Sequence, residues 1–204
     1  MEKRILKDYK EKGYAILDNF LPEKVAIELA ERYAKNSKWE LQDQVRPDHY
    51  KHVFATNNPY LPRSNETYKA KFDRARELEK SEYMKTLFQT YFVPRLNEVA
   101  DKPLTQIEDI RCYRLLPGHF YRTHIDDYAA AVGLTYYINR EWGFDWGGLL
   151  HIASSNDMDF IDTVFPKFNR IVLLNHGKFR FPHFVSTVSE YALNPRYTIV
   201  AFCK

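Results

Sequence analysis

The 204-residue chain is 45% apolar and 16% aromatic, long enough to bury roughly 70% of the surface its unfolded form exposes, so residues 1–204 are expected to form a single domain. Its 30 basic and 27 acidic residues leave a formal net charge of +3 without a block of like charges, which argues against nucleic acid as a partner. No apolar stretch approaches a membrane span, Met1-Glu2-Lys3-Arg4 does not open a secretory leader, and Cys112 and Cys203 both sit in strand-like apolar runs. The expectation is therefore a cytoplasmic protein with no membrane partner, no disulfide framework and two buried thiols.

The first half reads as mainly helical. A helix over Arg4 to Lys12 is followed by a short strand from Tyr14 to Asp18 and a helix opening at Pro22, whose fixed φ suits a first turn. Val25, Leu29 and Tyr33 give that helix an apolar stripe, which is a packing face before it is anything else. A third helix is predicted from Lys69 to Leu78 and a fourth near Ser81, with Met84, Leu87, Phe88, Tyr91 and Phe92 on one side and Pro94 kinking or ending it. Between them, residues 37–68 show little periodicity and read as a long loop.

From Ile110 the texture changes to β-branched and aromatic runs. Candidate strands fall at 110–116, 120–126, 132–138, 148–153, 161–165, 170–175, 184–188 and 196–203. Turn residues such as Pro117-Gly118, Gly147-Gly148 and Asn194-Pro195 separate them, which suggests two facing sheets in a jelly roll. The fold class is thus α+β, with helical support over about 1–105 and a jelly-roll core over about 106–204.

Within that core lies the chain's only His-x-Asp, His124-Ile125-Asp126. Residues i and i+2 of an extended strand share a face, so both side chains can reach one ion. Two neutral imidazoles and one carboxylate suit a divalent metal such as Fe(II) and leave open positions for reactants. The second histidine must come from downstream, where three candidates occur. His151 sits in an apolar run and reads as a packing residue, and His176 in Asn175-His176-Gly177 reads as part of a turn. His183 opens the strand-like stretch Phe184 to Val188.

Several blocks appear in order beside this pattern: Thr135-Tyr136-Tyr137-Ile138-Asn139, Trp146-Gly147-Gly148-Leu149-Leu150, Phe165-Pro166-Lys167-Phe168-Asn169-Arg170 and Pro182-His183. Together with the His-x-Asp they resemble the catalytic core of the 2-oxoglutarate- and Fe(II)-dependent oxygenases, especially the prolyl 4-hydroxylase-like branch. The likeness is strong over roughly 110–204 and weaker over Gly13 to Leu21, which looks like the family's entry strand.

The resemblance implies a double-stranded β-helix in which His124, Asp126 and His183 ligate Fe(II) and serve catalysis. It implies 2-oxoglutarate as co-substrate, O2, ascorbate as a reductant, and release of succinate and CO2. Arg196 matches the anchor of the co-substrate's distal carboxylate through its planar fork, and Tyr137 matches the tyrosine that helps it. Tyr113 and Tyr121 match two further pocket tyrosines, although 15 tyrosines populate the chain and most must simply pack. One departure is that Glu190 to Pro195 lengthens the connection between His183 and Arg196 relative to the family's usual spacing. The ligand carboxylate favours hydroxylation over halogenation, since related halogenases replace it with a small residue.

For the substrate, the resemblance points to a prolyl residue in a peptide or protein. A free amino acid or other small metabolite is the alternative, and a non-catalytic metal-binding jelly-roll module is a third reading that leaves Arg196 without a purpose. The stretch from Ser37 to Tyr68 would be a lid over the iron, and Trp142, Phe144 and Trp146 a second candidate rim.

Overall fold

The computed structural model describes residues 3–46, 68–99, 103–104, 107–126, 132–154, 159–179 and 181–204. Helix α1 (Lys3–Lys12) leads into β1 (Tyr14–Leu17) and α2 (Glu23–Lys35), with Pro22 at the N-cap as its fixed φ favours. Strands β2 (Glu40–Arg46) and β3 (Tyr68–Arg74) follow, then α3 (Arg76–Glu79) and α4 (Glu82–Leu87). Ser81 caps α4 by accepting from the Met84 N–H at 3.2 Å. The chain then passes through a π-helical turn, Phe88–Phe92, into α5 (Val93–Leu96). Pro94 does not end the helical run. It sits in the first turn of α5, where its missing N–H costs little, and the wider turn before it takes up the disturbance.

The eight strands predicted downstream are β4 (Ile107–Leu115), β5 (Phe120–His124), β6 (Val132–Tyr137), β7 (Leu150–Ala153), β8 (Phe160–Val164), β9 (Ile171–Leu174), β10 (His183–Val185) and β11 (Arg196–Cys203). All eleven strands join one antiparallel sheet in the order β1-β9-β6-β11-β4-β3-β5-β10-β7-β8, with β2 paired to β3. The two facing layers expected from sequence are thus two ends of one curled sheet, a jelly-roll double-stranded β-helix. Strand β3 is the corner, since it pairs with β4 at Asp73 and Arg74 and with β5 at Ala70 and Lys71.

Two sequence expectations fail at this corner. Lys69 to Leu78 is not a helix: Tyr68–Arg74 is β3, and only Arg76–Glu79 is helical. The segment is rich in helix formers, yet Ala70 and Phe72 alternate into the interior with period two, and pairing with three other strands overrides local preference. Residues 37–68 likewise contain β2 instead of being all loop. Residues 47–67, which carry most of the proposed lid, lie outside the described residues.

The core divides according to strand alternation. Tyr136, Ile171, Leu173, Ile199 and Ala201 turn outward and pack beneath the helices with Leu29, Tyr33, Phe88 and Phe92. Their neighbours Thr198, Val200 and Phe202 turn the other way and line an interior cavity. Cys112 and Cys203 are buried on the helical side and form no disulfide.

Asn169 locks the entry segment to this scaffold from a left-handed backbone conformation (φ 58°), which asparagine tolerates. Its Oδ1 accepts from the Leu21 N–H at 2.8 Å and from the Tyr136 hydroxyl at 2.9 Å, and its Nδ2 donates to the Leu21 carbonyl at 2.8 Å. Asp18 adds ion pairs to Lys167 at 2.7 Å and Arg170 at 2.6 Å.

Candidate active site

His124 ends β5 and His183 opens β10, and the two are direct cross-strand partners. Their rings lie 4.3 Å apart between centroids. Asp126 follows two residues after His124, just beyond the strand end. One ligand atom from each of the three falls within 4.8 Å of the others. Asp126 Oδ1 is 3.4 Å from His124 Nε2, and Oδ2 is 3.4 Å from His183 Nε2.

The imidazoles are poised through their far sides. His124 Nδ1 lies 2.9 Å from the Arg122 carbonyl and His183 Nδ1 2.9 Å from the Phe181 carbonyl. A carbonyl only accepts, so each Nδ1 donates its proton there, and each Nε2 is left facing the carboxylate cluster, where it donates to Asp126 when protonated and can ligate a metal when not. Burial alone would push the Asp126 carboxyl up, but the charge of His183 and the hydrogen bonds of both histidines outweigh it and hold it well below the usual carboxylate range. His124 is lowered, first by burial and then by its neighbour His183, while Asp126 outweighs burial at His183 and raises it. An anionic carboxylate between two Nε2 atoms fits a divalent ion, whose binding would displace any proton held there.

Arg196, the first residue of β11, lies in the same cavity and is only 2% exposed. Its guanidinium stands over the Tyr137 ring at 5.2 Å from the centroid. Its Nε and Nη2 meet no hydrogen-bonding partner among the described residues, and burial lowers its pKa against the opposing effect of Tyr137. A buried cation with unused donors is costly without an anion to meet it. A planar carboxylate is the group its fork accommodates. The longer Glu190 to Pro195 connection does not displace it: Asn139 accepts from the Tyr197 N–H at 2.7 Å and donates to the Pro195 carbonyl at 2.6 Å, fixing where the strand begins.

The tyrosines occupy different places. Tyr113 and Tyr121 line the cavity, with the Tyr121 ring 4.8 Å from that of His124. Burial pushes the Tyr113 hydroxyl pKa up, so it is a neutral hydrogen-bonding group. Tyr137 is fully buried and packs against Arg196.

Sequence reasoning missed two residues here. Arg111 lines the cavity, pairs with Asp109 at 2.6 Å and donates to the Tyr113 hydroxyl at 3.4 Å. Its position two before Tyr113 on one strand was the available signal. His176 does lie in a turn after β9, but its side chain is buried and its Nε2 is 3.4 Å from Asp126 Oδ2. His151 packs as expected, stacked on Phe184 at 4.5 Å. Of the candidate rim, Phe144 is 91% exposed, whereas Trp142 is pinned by donating to the Gly147 carbonyl at 2.9 Å.

A jelly roll with an interior cavity that holds both a His-Asp-His cluster and a buried guanidinium has the groups to bind a metal together with an oxoacid. Residues 109–204 match the family model of the 2OG-Fe(II) oxygenase superfamily. Among solved structures, a Pseudomonas putida prolyl-4-hydroxylase is similar at 20% identity and a TM-score of 0.58, covering 100% of this chain and 98% of that one. A Trichoplax adhaerens prolyl hydroxylase in complex with a hypoxia inducible factor oxygen degradation domain peptide fragment is similar at 17% identity and 0.66, covering 98% and 86%. An oxidoreductase of the 2OG-Fe(II) oxygenase family from Burkholderia pseudomallei is similar at 16% identity and 0.64, covering 98% and 89%. No curated protein matches the chain by sequence.

Over residues 109–204 the chain thus matches the 2OG-Fe(II) oxygenase superfamily's model, and it shares its fold with the similar structures. It is a dioxygenase whose cofactor and co-substrates are Fe(II), 2-oxoglutarate and O2. No helix among the described residues is long and apolar enough to cross a membrane.

Proposed function

We propose that this protein is a 2-oxoglutarate-dependent hydroxylase of a prolyl residue in a peptide or protein, acting as one domain over residues 1–204. His124, Asp126 and His183 hold the iron, and Arg196 takes the distal carboxylate of 2-oxoglutarate with Tyr137 stacked behind it. Tyr113 and Tyr121 shape the space between. The single observation that carries the reading is the pairing, in one buried cavity, of two Nε2 atoms and a carboxylate with a guanidinium that has unused donors. A module that only stored a metal would have no use for such a cation.

The chemistry supplied with the iron is oxidative decarboxylation of 2-oxoglutarate by O2, giving CO2, one oxygen atom in succinate and one inserted into a substrate C–H bond. The chain's own part is positional. The Arg122 and Phe181 carbonyls fix the histidine tautomers, the β5–β10 pairing fixes their separation, and Arg196 sets the depth at which the co-substrate seats. Apolar Leu150, Val185 and Val200 keep the cavity walls dry.

The prolyl substrate draws support from the prolyl hydroxylases among the similar structures, one with a bound peptide. Succinate formation from 2-oxoglutarate with Fe(II), added anaerobically and then exposed to air, tests the enzyme reading. Mass spectrometry for a gain of one oxygen, run on proline-containing peptides against free amino acids, tests the substrate. Oxygen gain in free amino acids alone would move the reading to a small-metabolite hydroxylase.

A further inference from the structure

We propose that His176 is a positioning residue for Asp126, donating from Nε2 to the carboxylate oxygen that the metal leaves uncoordinated; the proposal rests on His124, Asp126 and His183 being the iron ligands. A carboxylate that ligates through one oxygen keeps the other for an outer hydrogen bond, and such partners orient the ligand. His176 Nε2 is 3.4 Å from Asp126 Oδ2. It lies outside the cluster whose ligand atoms come within 4.8 Å of one another, which among the described residues comprises His124, Asp126 and His183. Reaching the carboxylate without joining that cluster is the geometry of an outer partner, not of a fourth ligand.

The surrounding strands are shaped for this ring. Gly133 is the second residue of β6, paired to Phe202 of β11 on one side and to Leu174 of β9 on the other. A Cβ built on Gly133 would lie 2.1 Å from His176 Nε2 and 2.5 Å from its Cδ2. Glycine in a strand interior gives up packing, and here its missing side chain is the space the imidazole fills. Phe202 stacks on the ring at 6.0 Å between centroids. The turn after β9 therefore delivers His176 into a niche that the next strand leaves open, with its Nε2 edge toward Asp126.

Mn(II) binding to the full chain tests this without turnover. His176→Phe preserves a ring in the niche but removes the donor, and should weaken Mn(II) binding about 10- to 100-fold while the apo protein melts cooperatively near the wild-type temperature. His176→Gln, which restores an N–H at similar reach, should recover most of that loss. Gly133→Ala should mimic His176→Phe by displacing the ring. Wild-type-like affinity in His176→Phe, or no recovery in His176→Gln, overturns the assignment while leaving the triad intact. Pulsed EPR of the Mn(II) protein carrying 15N-histidine should detect two directly bound imidazoles; a third would make His176 a ligand and overturn it as well. A wild-type chain that binds no Mn(II) removes the triad reading itself, and this inference with it.

Discussion

Gly148 stands directly against Arg196, which lines the cavity of the candidate site: a Cβ on Gly148 would lie 2.7 Å from Arg196 Cδ and 3.3 Å from its Nε. Gly148 also holds φ +63°, in the left-handed region that glycine favours. Gly148 thus does two things at once, taking a backbone conformation that side chains disfavour and leaving room for the guanidinium.

Gly148→Ala should push Arg196 out of register. The expected result is a rise of about tenfold or more in the 2-oxoglutarate KM, equivalent to one charge-assisted hydrogen bond made poorly. Steady-state kinetics with 2-oxoglutarate varied at saturating Fe(II) would measure it, and an unchanged KM would show that Arg196 does not need this space.

Arg196→Met should separate stability from function. The guanidinium is desolvated and its Nε and Nη2 meet no acceptor among the described residues, so replacing it with an apolar chain of similar length should stabilise the apo protein by about 1 kcal/mol or more. The variant should lose the rise in melting temperature that N-oxalylglycine with Mn(II) gives the wild type by binding the folded state. Thermal melts of both proteins with and without the pair decide it, and a destabilised apo variant would mean that the charge is compensated.

Asn169→Ala removes three hydrogen bonds at once and leaves the Leu21 N–H and carbonyl without these partners. It also places a less tolerant residue at φ 58°. A loss of about 2–4 kcal/mol is expected, read from urea unfolding midpoints at constant slope. Because the side chain bonds to Leu21 and Tyr136 and does not line the cavity that holds His124, Asp126 and His183, the residual folded protein should keep its affinity for 2-oxoglutarate.

Acid should expose the contribution of Asp18. The hydrogen bond from Arg170 holds its carboxyl below the ordinary value of 3.8, with burial opposing and Lys167 assisting. A carboxylate lowered in the folded state stabilises above its unfolded pKa, and that stability fades as pH falls through the folded value. Asp18→Asn should therefore be less stable than wild type at neutral pH, with the gap closing below about pH 4. The site is partly exposed and screened, so the gap should be of the order of 1 kcal/mol at most. Equal stability at pH 7 would show that these ion pairs contribute nothing.

Much of the site was legible in the chain because its signals are local. His124 and Asp126 are two residues apart, His183 opens a strand, and the eight downstream strands each carry β-branched or aromatic residues bounded by turns. Those features depend on a few neighbouring residues, so composition and period suffice to find them. The same logic misled at Lys69 to Leu78, where helix formers dominate and the alternating Ala70 and Phe72 were the weaker signal.

Local pattern along the chain was thus enough to pick out the candidate ligands, the order of the blocks and the β-rich half that carries them. Tertiary structure decided which groups stand beside that set. It closed β3 onto β4 and β5 to make one curled sheet, set Arg111 next to Tyr113, left Gly148 as clearance for Arg196, and brought the turn residue His176 within 3.4 Å of Asp126 over the bare backbone of Gly133. Such contacts join residues far apart in the chain through strand register and missing side-chain volume, neither of which has a local periodicity to read.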